Sequence, residues 1–337
     1  RDKGTHKDTA SYLDATVATL CPVFMPETVA VIDVGSNSIK LLVASLDKSG
    51  KSIKTISSKT IETRISEGIN HDLPTLTQTA INRGTATILE LYHLSLEHKP
   101  NKIAIVATSA VRDAKNSATF LRAVTEATDL HMRVLSGTEE ARYIGLGLSC
   151  DPAIREMRRF IQIDIGGGSL ELIRFEGGSI KNAISLPLGA VRLTERFVAD
   201  KTASLPLKSE TALRQYVRTQ IIKSGFDFSP IDLPLIATGG AFSISRAVLA
   251  AQEGNTLAKS SPRIERGALN SLKQKLATST LEERLKIAQL PPARADILPV
   301  ALITIDALLE YASRHHITHS FYNLRYGIAA DVLFALE

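Results

Sequence analysis

Two short stretches place an acid beside a glycine turn. In "VIDVGSNSIKLLV" an apolar run ends at Asp33, Gly35, Ser36 and Asn37 turn the chain, and a second apolar run follows at once. In "QIDIGGGSLELI", 131 residues further on, the arrangement repeats with Asp164 and the turn Gly166, Gly167, Gly168, Ser169. Turns without bulky side chains leave backbone N–H groups unshielded, and such groups can converge on an anion. Ser36, Asn37 and Ser169 add short side-chain donors. A carboxylate beside a phosphate nest makes sense if a divalent cation or a positioned water lies between the two negative charges. One such turn is an ordinary hairpin. Two, each with its aspartate, suggest a phosphate group gripped from both sides of a cleft.

Two further segments carry chemistry-bearing residues. "SGTEEAR" sets Glu139 and Glu140 behind a Ser-Gly-Thr turn at a helix start. Locally this reads as an N-cap with acids favoured by the helix dipole; alternatively, one glutamate faces the cleft as a general base. "ATSAVRDAKN" puts Arg112 just past a strand end, where α/β sheets keep their ligand sites, and a guanidinium there could hold phosphate. The other reading of Arg112 is a surface ion pair. No GxxxxGK[ST], HExxH or GxSxG is present. "GLG" at Gly145–Gly147 lacks the rest of a dinucleotide fingerprint and reads as close packing within a helix. His315, His316 and His319 in "HHITH" resemble a metal cluster, but Ile317 and Thr318 turn the chain towards a strand, and a surface loop is the expected setting.

The elements that must position these residues alternate. Strands are expected at Val29–Asp33, Ile39–Ser45, Ile103–Ala107, Phe160–Asp164 and Leu170–Phe175, and "SIKTISSKTIETRI" reads as a strand pair. Helices are expected over "LTQTAINRGTATILELYHLSLEHK", "SATFLRAVTEATDL" and "TALRQYVRTQIIKSGF". The class is α/β, and the self-similarity at 131 residues suggests a duplicated unit. The 337 residues, 44% hydrophobic, are long for a single core, so two domains are expected. The net charge of +5 suits a polyanionic ligand but also a plain solvated surface. Cys21 and Cys150 form no CxxC pair, and a reducing cytoplasm is the expected setting. No apolar run reaches membrane-span length. Residues 1–27 lack the features of a secretory signal and are set aside as an extension.

Six segments in order, "VIDVGSNSIKLLV", "ATSAVRDAKN", "SGTEEARYIGLG", "IDIGGGSLELI", "SLPLGAVRLTERF" and "ATGGAFSISRA", resemble the exopolyphosphatase/guanosine pentaphosphate phosphohydrolase (Ppx/GppA) family. The likeness runs from about Val29 to the C-terminus. It implies two ribonuclease-H-like domains of the actin-like superfamily flanking a central cleft. These are expected at 28–150 and 151–323, with helix 324–337 packing back on the first. The chain resembles the short, two-domain members. The resemblance assigns Glu140 to activation of the attacking water. It sets Asp164, Glu171 and Asp33, the acid of the first phosphate turn, near a Mg²⁺ ion or another divalent cation. It makes Gly35, Ser36 and Asn37, and Gly166 to Ser169, the phosphate turns, and Arg112 a basic residue on the phosphate path. Arg325 in "NLRYG" matches the arginine of the family's "LREG" and is expected near the substrate. Tyr326 departs from that motif's glutamate, and Ala241 and Phe242 depart from small polar residues.

The expected activity is hydrolysis of terminal phosphoanhydride bonds of polyphosphate. Guanosine pentaphosphate is the alternative substrate, with its purine pocket expected near Phe242. A sugar-kinase-like ATPase or a non-hydrolytic nucleotide sensor is the third class. Aromatic residues make up only 5% of the chain and form no aromatic-basic stripe, so nucleic acid is not an expected partner, nor is a membrane. Symmetric soluble enzymes are most often dimers, which makes a homodimer the expected assembly.

Overall fold

The structure, a computed structural model, describes residues 28–67, 74–154 and 156–334. The first half runs β1 (Thr28–Val34), β2 (Ser38–Leu46), β3 (Ile53–Glu62), α1 (Gln78–Leu96), β4 (Lys102–Ala107), α2 (Ser109–Asp113), α3 (Ser117–Thr128), β5 (Met132–Val134) and α4 (Gly137–Ser149). The second runs β6 (Arg159–Ile165), β7 (Leu170–Glu176), β8 (Ser179–Leu186), α5 (Ala190–Phe197), α6 (Leu207–Ser224), β9 (Leu235–Thr238), α7 (Gly240–Gln252) and β10 (Arg263–Glu265). It continues through α8 (Arg266–Thr278), α9 (Leu281–Leu285), α10 (Leu298–Tyr311), β11 (His316–His319) and α11 (Leu324–Leu333).

The strands form two sheets, ordered β3-β2-β1-β4-β5 and β10-β11-β9-β6-β7-β8. In each, an antiparallel three-strand meander (β1–β3, β6–β8) is joined by parallel strands beside its first member. The repeat in the sequence is therefore a repeat of ribonuclease-H-like topology.

Strand periodicity sorts side chains into layers. Ala30 and Ile32 of β1 pack under α1 and α3, with Ile88, Leu91 and Phe120. Val29 and Val31 face the opposite way, into a core shared with Phe160 and Phe175 of the second sheet. Ile161 and Ile163 of β6 face α6, α8 and α10. Between the sheets lie α4 and α11. Helix α4, from the first half, packs on β7 and β8, while α11, from the second, packs on β1 and β2. The two halves thus exchange a helix across the middle layer.

The two helices cross through glycine. A Cβ on Gly147 would lie 1.9 Å from the Asn323 carbonyl oxygen, and one on Gly327 would lie 1.8 Å from that of Tyr143. Gly145 likewise meets Phe175 and Ile180 closely, so the "GLG" segment does serve packing. The "SIKTISSKTIETRI" segment is one edge strand, β3, rather than a pair. Its polar residues are mostly exposed and need no turn. In "HHITH" the turn towards a strand is complete: His316–His319 form β11, and Ile317 and His319 are buried, with His319 beside Arg246, where a surface loop was expected. Among the described residues no helix is long and apolar enough to cross a membrane.

Replacing Gly147 with Val should force the crossing apart. We expect a loss of about 1–3 kcal/mol, the usual cost of overpacking, read as a lower urea midpoint.

Candidate active site

The middle-facing stripes of the two central hairpins end in charged residues. Along β1 the stripe is Val29, Val31, Asp33; along β6 it is Phe160, Gln162, Asp164. The cross-strand partners are Lys40 opposite Asp33 and Glu171 opposite Asp164. All four line one cleft between the sheets, outside the C-terminal ends of β1 and β6.

Each of the turns that follow is closed by a backbone hydrogen bond of the same pattern. Gly35 N–H donates to Ser38 O at 3.1 Å, and Gly166 N–H to Ser169 O at 2.9 Å. Their outer carbonyls are tied back: Ser36 O accepts from Ser66 N–H, and Gly166 O from Ala190 N–H. A trans peptide points its N–H opposite its carbonyl. The N–H groups of Asn37 and Gly167 are thereby aimed away from these ties, and both residues line the cleft. The turns nearly touch, since a Cβ on Gly167 would lie 3.0 Å from Ser36 Cβ and 3.2 Å from the Asn37 nitrogen. Gly168 lies outside the cleft lining. Its α-carbon faces the hydroxyls of Ser36 and Ser109.

Capping separates the two glutamates of "SGTEEAR". Glu139 closes a capping box with Ser136 and pairs with Arg133. Hydrogen bonds to Ser136, and then the Arg133 guanidinium, hold its carboxyl down at about 2. Glu140, one residue on, is buried on the cleft wall. Burial pushes its carboxyl up to about 7, against the hydrogen bond and charge of Arg112. Arg112 Nη1 donates to Glu140 Oε2 at 2.7 Å and to Leu135 O at 3.0 Å. Arg112 is not part of the cleft wall. It holds the glutamate instead of lining a phosphate path, and its Nε lies 3.7 Å from Asp113 Oδ1.

The other acids are raised as well. Burial drives up Asp33, opposed by Lys40 and Arg325. It also drives up Asp164, which accepts from Thr238 Oγ1 at 2.5 Å. Glu171 is raised well above the usual range by burial, then by Glu140 and Asp164, although Ser185 Oγ donates to it at 2.8 Å. Burial lowers Lys40, opposed chiefly by Asp33.

Among the described residues no three His, Cys, Asp or Glu side chains converge as ligands of one ion, so Asp33, Asp164 and Glu171 do not form a three-carboxylate cage. The donor set still suits a hard cation. Mg²⁺ is typically held by one or two carboxylates plus substrate phosphates and water. Asp164 and Glu171 face the cleft, and the buried Oδ1 atoms of Asn37 and Asn323, also on its wall, have no hydrogen-bond partner among the described residues.

Lys40, Ser109, Thr238, Asn323 and Arg294 escaped the sequence reading. Arg294 reaches the cleft from the segment before α10 and donates to Glu62 at 3.1 Å and to Ser38 Oγ at 3.2 Å. Lys40 did leave a signal, as a lone cation in an apolar strand at the repeat position of Glu171. Arg325 lies outside the cleft. Its Nη1 donates to Leu41 O at 2.8 Å and Ser58 Oγ at 3.1 Å, and it lines an adjoining groove of about 470 Å³. Tyr326 bonds Thr55 Oγ1 at 2.8 Å through its hydroxyl. Phe242 itself is fully buried, while its neighbours Ser243 and Ile244 line the adjoining groove.

The sequence pattern of the Ppx/GppA phosphatase family matches residues 42–335. Among solved structures, an exopolyphosphatase from Cytophaga hutchinsonii superposes with a TM-score of 0.82 at 24% identity, covering 92% of this chain and 99% of that one. A Ppx/GppA family member from Aquifex aeolicus superposes with a TM-score of 0.73 at 24% identity, covering 93% and 100%. At that identity the likeness establishes the fold.

Difference infrared titration of the protein against Glu140→Gln tests the state of this acid. The carboxylate band of Glu140 should be lost as pH falls through about 7. Arg112→Met removes a group that favours the charged form, so the midpoint should move to higher pH.

Proposed function

The chain belongs to the Ppx/GppA phosphatase family, and we propose that it is an exopolyphosphatase, releasing orthophosphate from the ends of inorganic polyphosphate. The observation that carries this reading is the pair of opposed acid-glycine turns with Glu140 on the wall between them. The cleft they form has a volume of about 60 Å³, far below the 300–1,000 Å³ of drug-sized ligand sites. A terminal phosphoryl group suits it better than a whole nucleotide.

In this reading the N–H groups of Asn37 and Gly167 hold the terminal phosphoryl oxygens, with Ser36, Ser169 and Lys40 alongside. Asp164 and Glu171 would hold a Mg²⁺ ion, which supplies positive charge to the phosphate oxygens. Glu140 accepts a proton from water as the water attacks phosphorus in line with the leaving oxygen. A base near neutrality suits that task, because it is substantially ionised yet basic enough to take a proton. Arg112 fixes the carboxylate by a single strong hydrogen bond. The remaining phosphates leave along the adjoining groove, where Lys40, Arg294 and Arg325 supply cationic groups.

A second reading keeps the chemistry and changes the leaving group to a guanosine nucleotide. One feature favours it: the same groove carries Ile244, Pro291 and the half-exposed ring of Phe321, an apolar platform on which a base could stack.

Phosphate release with Mg²⁺ distinguishes the two. We expect polyphosphate to be the faster substrate and Glu140→Gln to lower turnover about 10²–10⁴-fold, the usual loss for a positioned base, with a melting temperature no lower than that of the unaltered protein. Faster release from guanosine pentaphosphate would move the assignment to the second reading. Normal turnover by Glu140→Gln would remove Glu140 from the mechanism.

A further inference from the structure

Resting on the reading above that Asp164 holds the divalent cation, we propose that the buried pair Gln162 and Thr238 leaves this carboxylate a single oxygen for the ion. The site thereby favours Mg²⁺ over Ca²⁺. Both side chains are fully buried, and neither lines the cleft. They are positioning residues, acting on the cation only through Asp164.

The three side chains stand on adjacent strands. Strands β6 and β9 run parallel, with Asp164 opposite Thr238 and Gln162 opposite Ile236. Gln162 and Asp164, two residues apart, share the middle-facing side of β6. Gln162 Nε2 donates to Ile144 O of α4 at 3.4 Å and to Thr238 Oγ1 at 3.2 Å. Thr238 Oγ1 in turn donates to Asp164 Oδ2 at 2.5 Å. The order of donors is fixed. A backbone carbonyl only accepts, so it is the amide nitrogen of Gln162, and not its oxygen, that turns towards Ile144 and Thr238. An amide nitrogen only donates, so the threonine hydroxyl accepts from it and directs its one hydrogen at Asp164. Packing alone does not account for the glutamine. Its Oε1 is buried with no hydrogen-bond partner among the described residues, a cost that an apolar side chain of similar size would avoid.

The other oxygen of Asp164 is left open. Among the described residues Oδ1 accepts no hydrogen bond, and Thr238 is the side chain bonded to this carboxylate. Oδ1 lies against Gly239 of the cleft wall, where a Cβ would come within 2.8 Å of it. Gly239 also has a φ of +101°, so a side chain at this position would be strained as well as displace the carboxylate. Glu171 is held in a similar manner, with Ser185 Oγ donating to its Oε1 at 2.8 Å. Each acid thus keeps one oxygen on a hydroxyl of the protein. Mg²⁺ demands near-ideal octahedral geometry and suits carboxylates that offer one oxygen each. Ca²⁺ accepts more ligands in looser order, and takes both oxygens of a carboxylate where they are free. The hydroxyls withhold that second oxygen.

Binding measured in two ions separates positioning from plain structural support. Tripolyphosphate is titrated calorimetrically into Glu140→Gln protein, in excess Mg²⁺ or in excess Ca²⁺. Chelation in solution is common to every variant and cancels when their Mg²⁺-to-Ca²⁺ affinity ratios are compared. In the parent protein we expect tighter binding with Mg²⁺. Adding Thr238→Val should weaken the Mg²⁺ complex about 10–100-fold, the usual loss when the residue orienting a metal ligand is removed. The Ca²⁺ complex should weaken far less, so the ratio falls. Thr238→Ser keeps the hydroxyl and should keep the ratio. Gln162→Met should lower the ratio in the same direction while its urea midpoint stays at or above that of the parent. An unchanged ratio in Thr238→Val, or in Gln162→Met where the first variant does not fold, would overturn the positioning role and leave the cation site intact. Tripolyphosphate binding to the parent that needs neither ion would refute the cation site itself, and the positioning role with it.

Discussion

Four buried carboxylates share one small cleft, and the rest of the structure is arranged around that fact. Asp33, Glu140, Asp164 and Glu171 are each less than a tenth exposed, and burial raises every one of them. Burying carboxylates is costly, and like charges in one site add to the cost. Three apolar layers offset it. The middle layer does so at closest range, where the glycine crossing of α4 and α11 lets the two sheets approach and the two turns nearly touch. A fold with no use for negative charge here would gain stability from neutral replacements. Retaining the acids makes sense if a cation and a polyanion complete the site.

The two halves are alike in backbone and unlike in charge. Lys40 and Glu171 occupy equivalent positions, each paired across a hairpin with the aspartate that ends a central strand. The first half therefore carries its own cation, and the second presents two acids. In the proposed reading, this difference would direct an external divalent ion towards Asp164 and Glu171 and leave Lys40 for phosphate oxygens. The pseudo-symmetric fold thus presents an asymmetric charge pattern to the cleft, which suits the cleavage at one end proposed above.

Much of this was legible in the sequence because it is local. A strand, a glycine turn and a return strand lie within a dozen residues, and the repeat announced two of them. The capping box of Ser136 and Glu139 is also local. Once Glu139 is consumed as a cap, the next residue is left to face the cleft. Arg112 was misplaced because nothing local reveals that α2 directs it back to the Leu135 carbonyl and to Glu140. Arg294 and Asn323 come from distant segments and reach the site only through packing of the second half. Phe242 illustrates the opposite error: position in a motif suggested proximity, while burial in the second core decided otherwise. The segment read as two strands became one because an edge strand tolerates the polar residues that looked like a turn.

The central claim is that the acidic cleft binds phosphate and cation together. Calorimetric titration of the protein with tripolyphosphate, with and without Mg²⁺, tests it most directly when done on Glu140→Gln, so that no hydrolysis intervenes. The account predicts strong binding only when both are present, with the coupling lost on adding Asp164→Asn. Equal affinity without Mg²⁺, unaffected by Asp164→Asn, would contradict it.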